Sequence, residues 1–388
     1  MKLEKAALFI ITCILISGAA CFVIQTNDEM SFTLKDSPYY IKEDIELEPG
    51  IDLIIEAGVK MYIDSGVNIV VHGNFKAIGT KEQPIEIYSN SGHGWGQIIM
   101  DSPGDSIIIE YTRIEDGRIY GKGVTVGIKE LTITNSQDLL WDETLIWLDH
   151  CIVTISNSHF KSNLTGEGIL VLRSNNTSVS ACDFNHVNDA VEYISCDSSY
   201  ITGCTFNEGT DDAIDLNGCH GVLISYNIIS NYLDRGIEIG SEGFGSSTDI
   251  TVYRNEIYDC NVGICVKDGS ESVLLNNTYV SNKTGVAVLR LDTLEPGSNA
   301  EIINSIYYQN STDIFIDEFS KANCIHSISD NKVIAGEGNI VGDPLFVDAE
   351  SHDFSLTKMS PCRFIAYSEN LHDPEANTID IGARSFEK

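Results

Sequence analysis

From Val153 onward the chain alternates β-branched or aromatic residues with polar ones in short runs: VTISNSHF, TSVSACDF from Thr177, SYITGCTF from Ser199, GVLISYNII from Gly221, DITVYRNEI from Asp249, SVLLNNTYV from Ser272 and AEIINSIYY from Ala300. A period of two marks a strand with one buried face. After each run come a polar turn and a second apolar run: GEGILV from Gly166, DAVEY from Asp189, DDAIDL from Asp211, RGIEI from Arg235, VGICV from Val262 and TGVAV from Thr284. Every repeat therefore predicts at least two short strands. The small residues Gly168, Ala190, Ala213, Gly236, Gly263 and Gly285 mark successive steps of 22, 23, 23, 27 and 22 residues. Repeats of that length predict stacked coils, since one unit cannot bury its apolar face alone.

Two columns follow from the register. One position is small or polar in every coil: Ser158, Cys182, Cys204, Asn227, Asn255, Asn277 and Ser305. Asparagine at a turn tolerates left-handed backbone, and stacked asparagines bond to one another up a column. Beside it runs an apolar column of Phe160, Phe184, Phe206, Ile229, Ile257, Tyr279 and Tyr307. A β-sandwich would not hold identical columns at a fixed step of about 22 residues.

On these repeats the chain resembles the right-handed parallel β-helix superfamily, the pectate-lyase-like solenoids. The resemblance implies an all-β solenoid of about 22-residue coils over residues 28–365, with a tail at 366–388 packing on the last coils. Upstream, IDLIIEAGVKMYIDSGVNIVVHGNFKAIGTKEQPIEIYS, GWGQIIM and DSIIIEYTRIEDG resemble the opening coils of secreted members. VGDPLFVDAESHDFSLTKMSPC with DIGARSFE resembles the closing segment of bacterial and archaeal surface members.

Composition narrows the partners. Asp and Glu outnumber Lys and Arg by 57 to 24 in 388 residues, a formal charge of −33. Such a surface repels nucleic acid, whose phosphates need clustered Lys and Arg, and an acidic polysaccharide would need a bridging cation. A hydrophobic content of 43% argues for a packed fold despite the charge. Lys2 and Lys5, an uncharged run over 6–25 and the small residues before Cys21 predict an export signal cleaved after Ala20. A lipoprotein signal and an uncleaved membrane anchor are the alternatives; all three place the chain in a secreted or cell-surface setting. Of the eleven cysteines, Cys182 with Cys204 and Cys196 with Cys219 fall in stacking register. Buried thiols are expected there, with disulfides as the alternative.

The register also gathers acids. If the coils stack, Asp189, Glu192, Asp211, Asp212, Asp215 and Glu238 converge on one patch. Asn188-Asp189, Asp211-Asp212, Arg235-Gly236 and Cys265-Val266-Lys267 fall where polygalacturonases carry N-T-D, D-D, G-H-G and R-I-K. That resemblance gives Asp189, Asp211 and Asp212 the acid and base roles of an inverting hydrolysis, with carboxyl groups about 6.5–9.5 Å apart. It also brings in Arg235 and Lys267, although Arg235 replaces the family's histidine and Cys265 its arginine. Asp189 followed by Asp211, Asp212 and Asp215 likewise resembles the calcium site of family 9 pectate lyases, with Glu192 or Glu238 as further oxygen donors. Glu238 stands where those lyases hold a lysine base, and Arg235 is the substitute at that corner. A structural patch, with each aspartate serving its own turn and Arg235 neutralising the cluster, is the third reading.

The sequence thus predicts an exported protein binding a polysaccharide or surface glycan at an acidic, calcium-dependent groove, as a hydrolase or lyase if catalytic. A non-catalytic structural or adhesion protein of the cell envelope is the alternative. Trp141 and Trp147, and His93 with Trp95, are expected to serve the core and turns, with stacking on a sugar ring the alternative for Trp141 and Trp147, while the sequons at Asn163, Asn175, Asn176, Asn276, Asn282 and Asn310 mark candidate glycan positions.

Overall fold

The computed structural model describes residues 28–135, 144–162, 166–367 and 380–384, with the backbone of three short strands, Cys13–Ile16, Ala19–Phe22 and Ile24–Gln25. Apart from that backbone, the expected export segment lies outside the described residues, as do Trp141, Asn163 and most of the tail. The described helical structure consists of two three-residue turns, Leu34–Asp36 and Ala349–Ser351. Among the described residues no helix is long and apolar enough to cross a membrane.

Two compact units divide the chain, Met1–Asn185 and His186–Lys388. In the first, β1 (Ile45–Glu46), β2 (Ile69–Val70), β3 (Gln97–Met100), β4 (Arg118–Lys122), β5 (Thr144–Asp149) and β6 (Glu167–Leu172) pair in that order, all parallel. In the second, β7 (Val191–Ile194), β8 (Ile214–Asn217), β9 (Arg235–Gly240), β10 (Val262–Lys267), β11 (Thr284–Leu289) and β12 (Thr312–Ile316) do the same. Each strand meets its own counterpart one repeat later, which is how a solenoid satisfies its backbone. Another layer follows the same rule: Ser106–Glu115 pairs with Thr125–Thr134 in the first unit, and Ile250–Tyr253, Glu271–Leu275, Asn299–Ile303 and Lys321–Ile325 stack in the second.

Alternation sends one side of every strand inward. Ile98, Ile119, Ile146 and Ile169 line the first unit and Val191, Ile214, Ile237, Ile264 and Val286 the second, all buried. Each such side chain contributes about 1.5–3 kcal/mol of burial. Both predicted columns exist within the units. Phe160 stacks on Phe184 at 4.6 Å in one, and Tyr279 on Tyr307 at 5.0 Å in the other. The Asn227 amide donates to Asn255 Oδ1 at 3.0 Å, and the Asn255 amide to Asn277 Oδ1 at 3.0 Å.

All nine described cysteines are buried, and none of them forms a disulfide. Cys182 and Cys204 are therefore thiols, as are Cys196 and Cys219, with burial and the contact between the last two raising the Cys219 thiol well above its usual range. Near the end of the chain, Ile381 packs with Ile306, Ile328, Leu356 and Cys362. Arg384 grips the buried Glu256 through two nitrogens.

Candidate functional site

Strand alternation that turns Ile214 and Ile237 inward turns their neighbours outward. Glu192, Asp215 and Glu238 stand in register on β7, β8 and β9, followed by Cys265, Ala287 and Phe315 on the next three strands. Adjacent strands lie about 4.8 Å apart, so three carboxylates share one narrow row, a placement that costs energy unless something neutralises it. Asp215 is 8% exposed and Glu238 1%.

At the corner before these strands the aspartates have an architectural task. Asp189 Oδ1 accepts the Asp212 backbone N–H at 3.0 Å, and Asp212 Oδ1 accepts that of Arg235 at 2.8 Å. Asp52 does this for Asn74 at 2.9 Å, and Asp268 for Leu291 at 2.6 Å. Capping the next coil is thus a general use of aspartate in this chain, and it occupies one oxygen each of Asp189 and Asp212.

One oxygen each of Asp189, Asp211 and Asp212 lies within 4.8 Å of the other two. Asp212, Asp215 and Glu238 form a second such set, and Glu192, Asp215 and Glu242 a third. The five residues expected to hold calcium thus fall into two sets that share Asp212.

Two cations enter the row. Arg235 Nη1 stands 2.5 Å from Glu238, 2.9 Å from Asp234 and 3.3 Å from Asp212. Lys267 Nζ pairs closely with Glu238 Oε1 and lies 3.2 Å from Glu242. Its approach needs Gly240, where a Cβ would sit 2.6 Å from Lys267 Cε. Glu242 reaches the row on the loop after β9, whose Phe244 backbone packs so closely on Gly218 that a Cβ there would lie 2.6 Å from the Phe244 carbonyl oxygen.

The electrostatics follow from burial. Desolvation, then Glu238 and Asp212, holds the Asp215 carboxyl well above the usual range. Asp212 is raised in the same way by burial and Glu238, with Arg235 opposing. Glu238 is raised by burial despite Lys267 and Arg235, and Asp211 by burial and Asp234. For Lys267, burial disfavours the charge but Glu238 and Glu242 outweigh it, so the ammonium is held more firmly than normal. Arg235 behaves likewise, with Asp212 and Glu238 outweighing burial. Both side chains stay protonated in this arrangement, which leaves neither as a proton acceptor.

Asp212 and Glu238 each pair with Arg235, whereas Asp215 makes no ion pair among the described residues. Its Oδ2 accepts from Asn217 Nδ2 at 2.8 Å, but its buried Oδ1, like Asn217 Oδ1 beside it, has no hydrogen-bond partner among the described residues. A buried, unsatisfied carboxylate oxygen is costly and calls for a proton or an ion. Sequence reasoning missed Glu242, which sits in a loop outside the repeat, and Gly240. Glu242's only signal was its position four residues after Glu238.

The remaining candidates serve elsewhere. Trp95 is buried and donates from Nε1 to the Glu115 carbonyl at 2.9 Å, while His93 is exposed in the turn before it. Trp147 is half-buried on the outward side of β5, stacked on Tyr120 at 4.6 Å and 6°. It does not enter the core as expected, because the alternation of β5 turns it away from Ile146 and Leu148. His150, His159 and His186 pair with separate acids, Asp149, Asp183 and Glu208.

Residues 144–299 match the family described as right handed beta helix region, in agreement with the parallel coils: the chain carries a right-handed parallel β-helix. No curated protein matches it. Among solved structures, a pectate lyase is similar at 12% identity and a TM-score of 0.40, over 90% of this chain and 96% of that one. A periplasmic alginate epimerase is similar at 12% and 0.44, over 81% and 85%, and a rhamnogalacturonan lyase at 12% and 0.45, over 79% and 88%.

Proposed function

We propose that this right-handed β-helix protein is an exported or cell-surface protein that binds carbohydrate at the outward carboxylate row of its second unit through a divalent cation, calcium in the first instance. One observation carries the reading: Asp215 has a buried Oδ1 with no hydrogen-bond partner among the described residues, and one of its oxygens lies within 4.8 Å of oxygens of Glu192 and Glu242. The donors fit a hard cation, which takes carboxylate oxygens at about 2.3–2.6 Å and completes its shell with water or ligand. Calcium bound there would supply the positive charge that an acidic sugar needs on a chain of −33. The chain's own residues then divide the work. Glu192, Asp215 and Glu242 hold the ion, Arg235 and Lys267 pair with Glu238 beside it, and Asp211, exposed at the corner, faces solvent with an elevated affinity for a proton.

A uronate lyase or hydrolase is the catalytic form of this reading, with Asp212 as a proton-carrying carboxyl. The non-catalytic form, a structural or adhesion protein, is favoured by the backbone-capping role of Asp189 and Asp212. Titration calorimetry with a panel of uronate and neutral oligosaccharides, in calcium and in chelator, tests the proposal. Binding of uronates in calcium alone is expected. Binding that ignores the chelator, or no binding to any glycan, would overturn it, and product formation would select the catalytic form.

A further inference from the structure

The lysine that the row encloses has a second consequence. Lys267 is 7% exposed and its ammonium touches two carboxylates, Glu238 on the neighbouring strand and Glu242 on the following loop. Glu242 also belongs to the trio Glu192, Asp215 and Glu242, in which one oxygen of each residue lies within 4.8 Å of the others, and Asp215 is the member with a buried oxygen that has no hydrogen-bond partner among the described residues. The same carboxylate therefore serves either the ammonium or a cation, and full charge on one weakens its hold on the other.

We propose that Lys267 is a tethered competitor for the divalent cation: its ammonium occupies Glu242 when the ion is absent and lowers the site's affinity. This rests on the cation reading of the row. The geometry favours a competitor over a bystander in three ways. The ammonium is a point charge whose strength does not depend on orientation. Gly240 has no side chain where a Cβ would lie 2.6 Å from Lys267 Cε. Glu242 belongs to the loop after β9, with left-handed glycines at Gly243 and Gly245, and is outside the strand ladder that holds Glu238 in β9. Cation binding then draws Glu242 toward Asp215 and leaves Lys267 with Glu238 alone. The acidic trio of Asp212, Asp215 and Glu238 cannot play this part, because Arg235 already bridges two of its members.

Calcium titration calorimetry on the full chain tests this with wild type, Lys267→Gln, Lys267→Arg, Glu242→Gln and the Lys267→Gln/Glu242→Gln double variant. Lys267→Gln is expected to bind calcium about tenfold more tightly, because one buried positive charge has left the site. Lys267→Arg is expected to stay near wild type. In the Glu242→Gln background the gain is expected to shrink several-fold, since the shared carboxylate is gone. A folded Lys267→Gln chain that binds calcium no more tightly than wild type would overturn the competition while leaving the cation reading in place. Absence of calcium binding in both would overturn the cation reading itself. If Lys267→Gln does not fold, the wild-type Lys267 ammonium resonance decides: it is expected to shift on calcium binding, and an unmoved resonance with calcium bound would overturn the competition.

Discussion

The same outward position, one residue after an inward-facing Ile or Val, is built from opposite chemistry in the two units. In the first it reads Val70, Ile99, Tyr120, Trp147 and Leu170, each in register with the next. In the second it reads Glu192, Asp215 and Glu238 before returning to Cys265, Ala287 and Phe315. A spacing of about 4.8 Å suits stacked rings and penalises stacked carboxylates. Tyr120 and Trp147 stack face to face, so these members of the first row stabilise each other. The acidic row requires Arg235, Lys267 and, on the present reading, an external cation. A scaffold that tolerates an apolar row carries the acidic one at a cost, and that cost is the physical argument for function there.

Substitutions can break this contrast. Glu238→Gln should be the most damaging, at about 3 kcal/mol in denaturant unfolding, because it leaves Lys267 and Arg235 buried with weaker partners. Trp147→Ala should cost about 2 kcal/mol, below a fully buried tryptophan because its outer edge is wet. If Trp147→Ala proved the more damaging, the acidic row would be less tightly organised than its ion pairs indicate. Asp215→Asn should change stability by less than about 1 kcal/mol at neutral pH without calcium, since it removes a carboxylate that makes no direct ion pair among the described residues. Any calcium-dependent rise in melting temperature should disappear with it.

The pH response sharpens the contrast further. The folded-state affinities of Asp212, Asp215 and Glu238 for protons are all raised, with burial the first cause. The folded protein therefore binds more protons than the unfolded chain between the ordinary carboxylate range and these raised values. Their contribution to stability is greatest below that window and is lost as pH rises through it. Wild type without calcium should lose stability on going from mildly acidic to neutral pH, and Asp215→Asn should lose less. A steeper loss in Asp215→Asn would contradict the assignment. The smallest effect belongs to Tyr120→Phe, about 0.5 kcal/mol or less, because the ring stack survives.

Much of the fold was legible because a solenoid writes its contacts at a fixed step. The register that aligns Gly236 with Gly263 also aligns Asn227, Asn255 and Asn277, and their side chains do bond in a ladder. The acidic patch was legible for the same reason. Its internal division was not: sequence places Asp189 and Asp215 at one corner, but only coordinates show that Asp189 caps the Asp212 backbone while Asp215 keeps a bare oxygen. Glu242 escaped because a loop outside the repeat returns over the row by packing on Gly218, a contact that no periodicity encodes. Trp147 was misplaced because the one-residue phase of β5, which decides inward from outward, is ambiguous in a run as apolar as LIWL.

A crystal grown in millimolar calcium tests the central claim most directly. The account predicts ion density about 2.3–2.6 Å from Asp215 Oδ1, shared with Glu192 and Glu242, with Lys267 withdrawn to Glu238. A well-ordered row in which Asp215 Oδ1 faces no ion and Lys267 still holds Glu242 would contradict it.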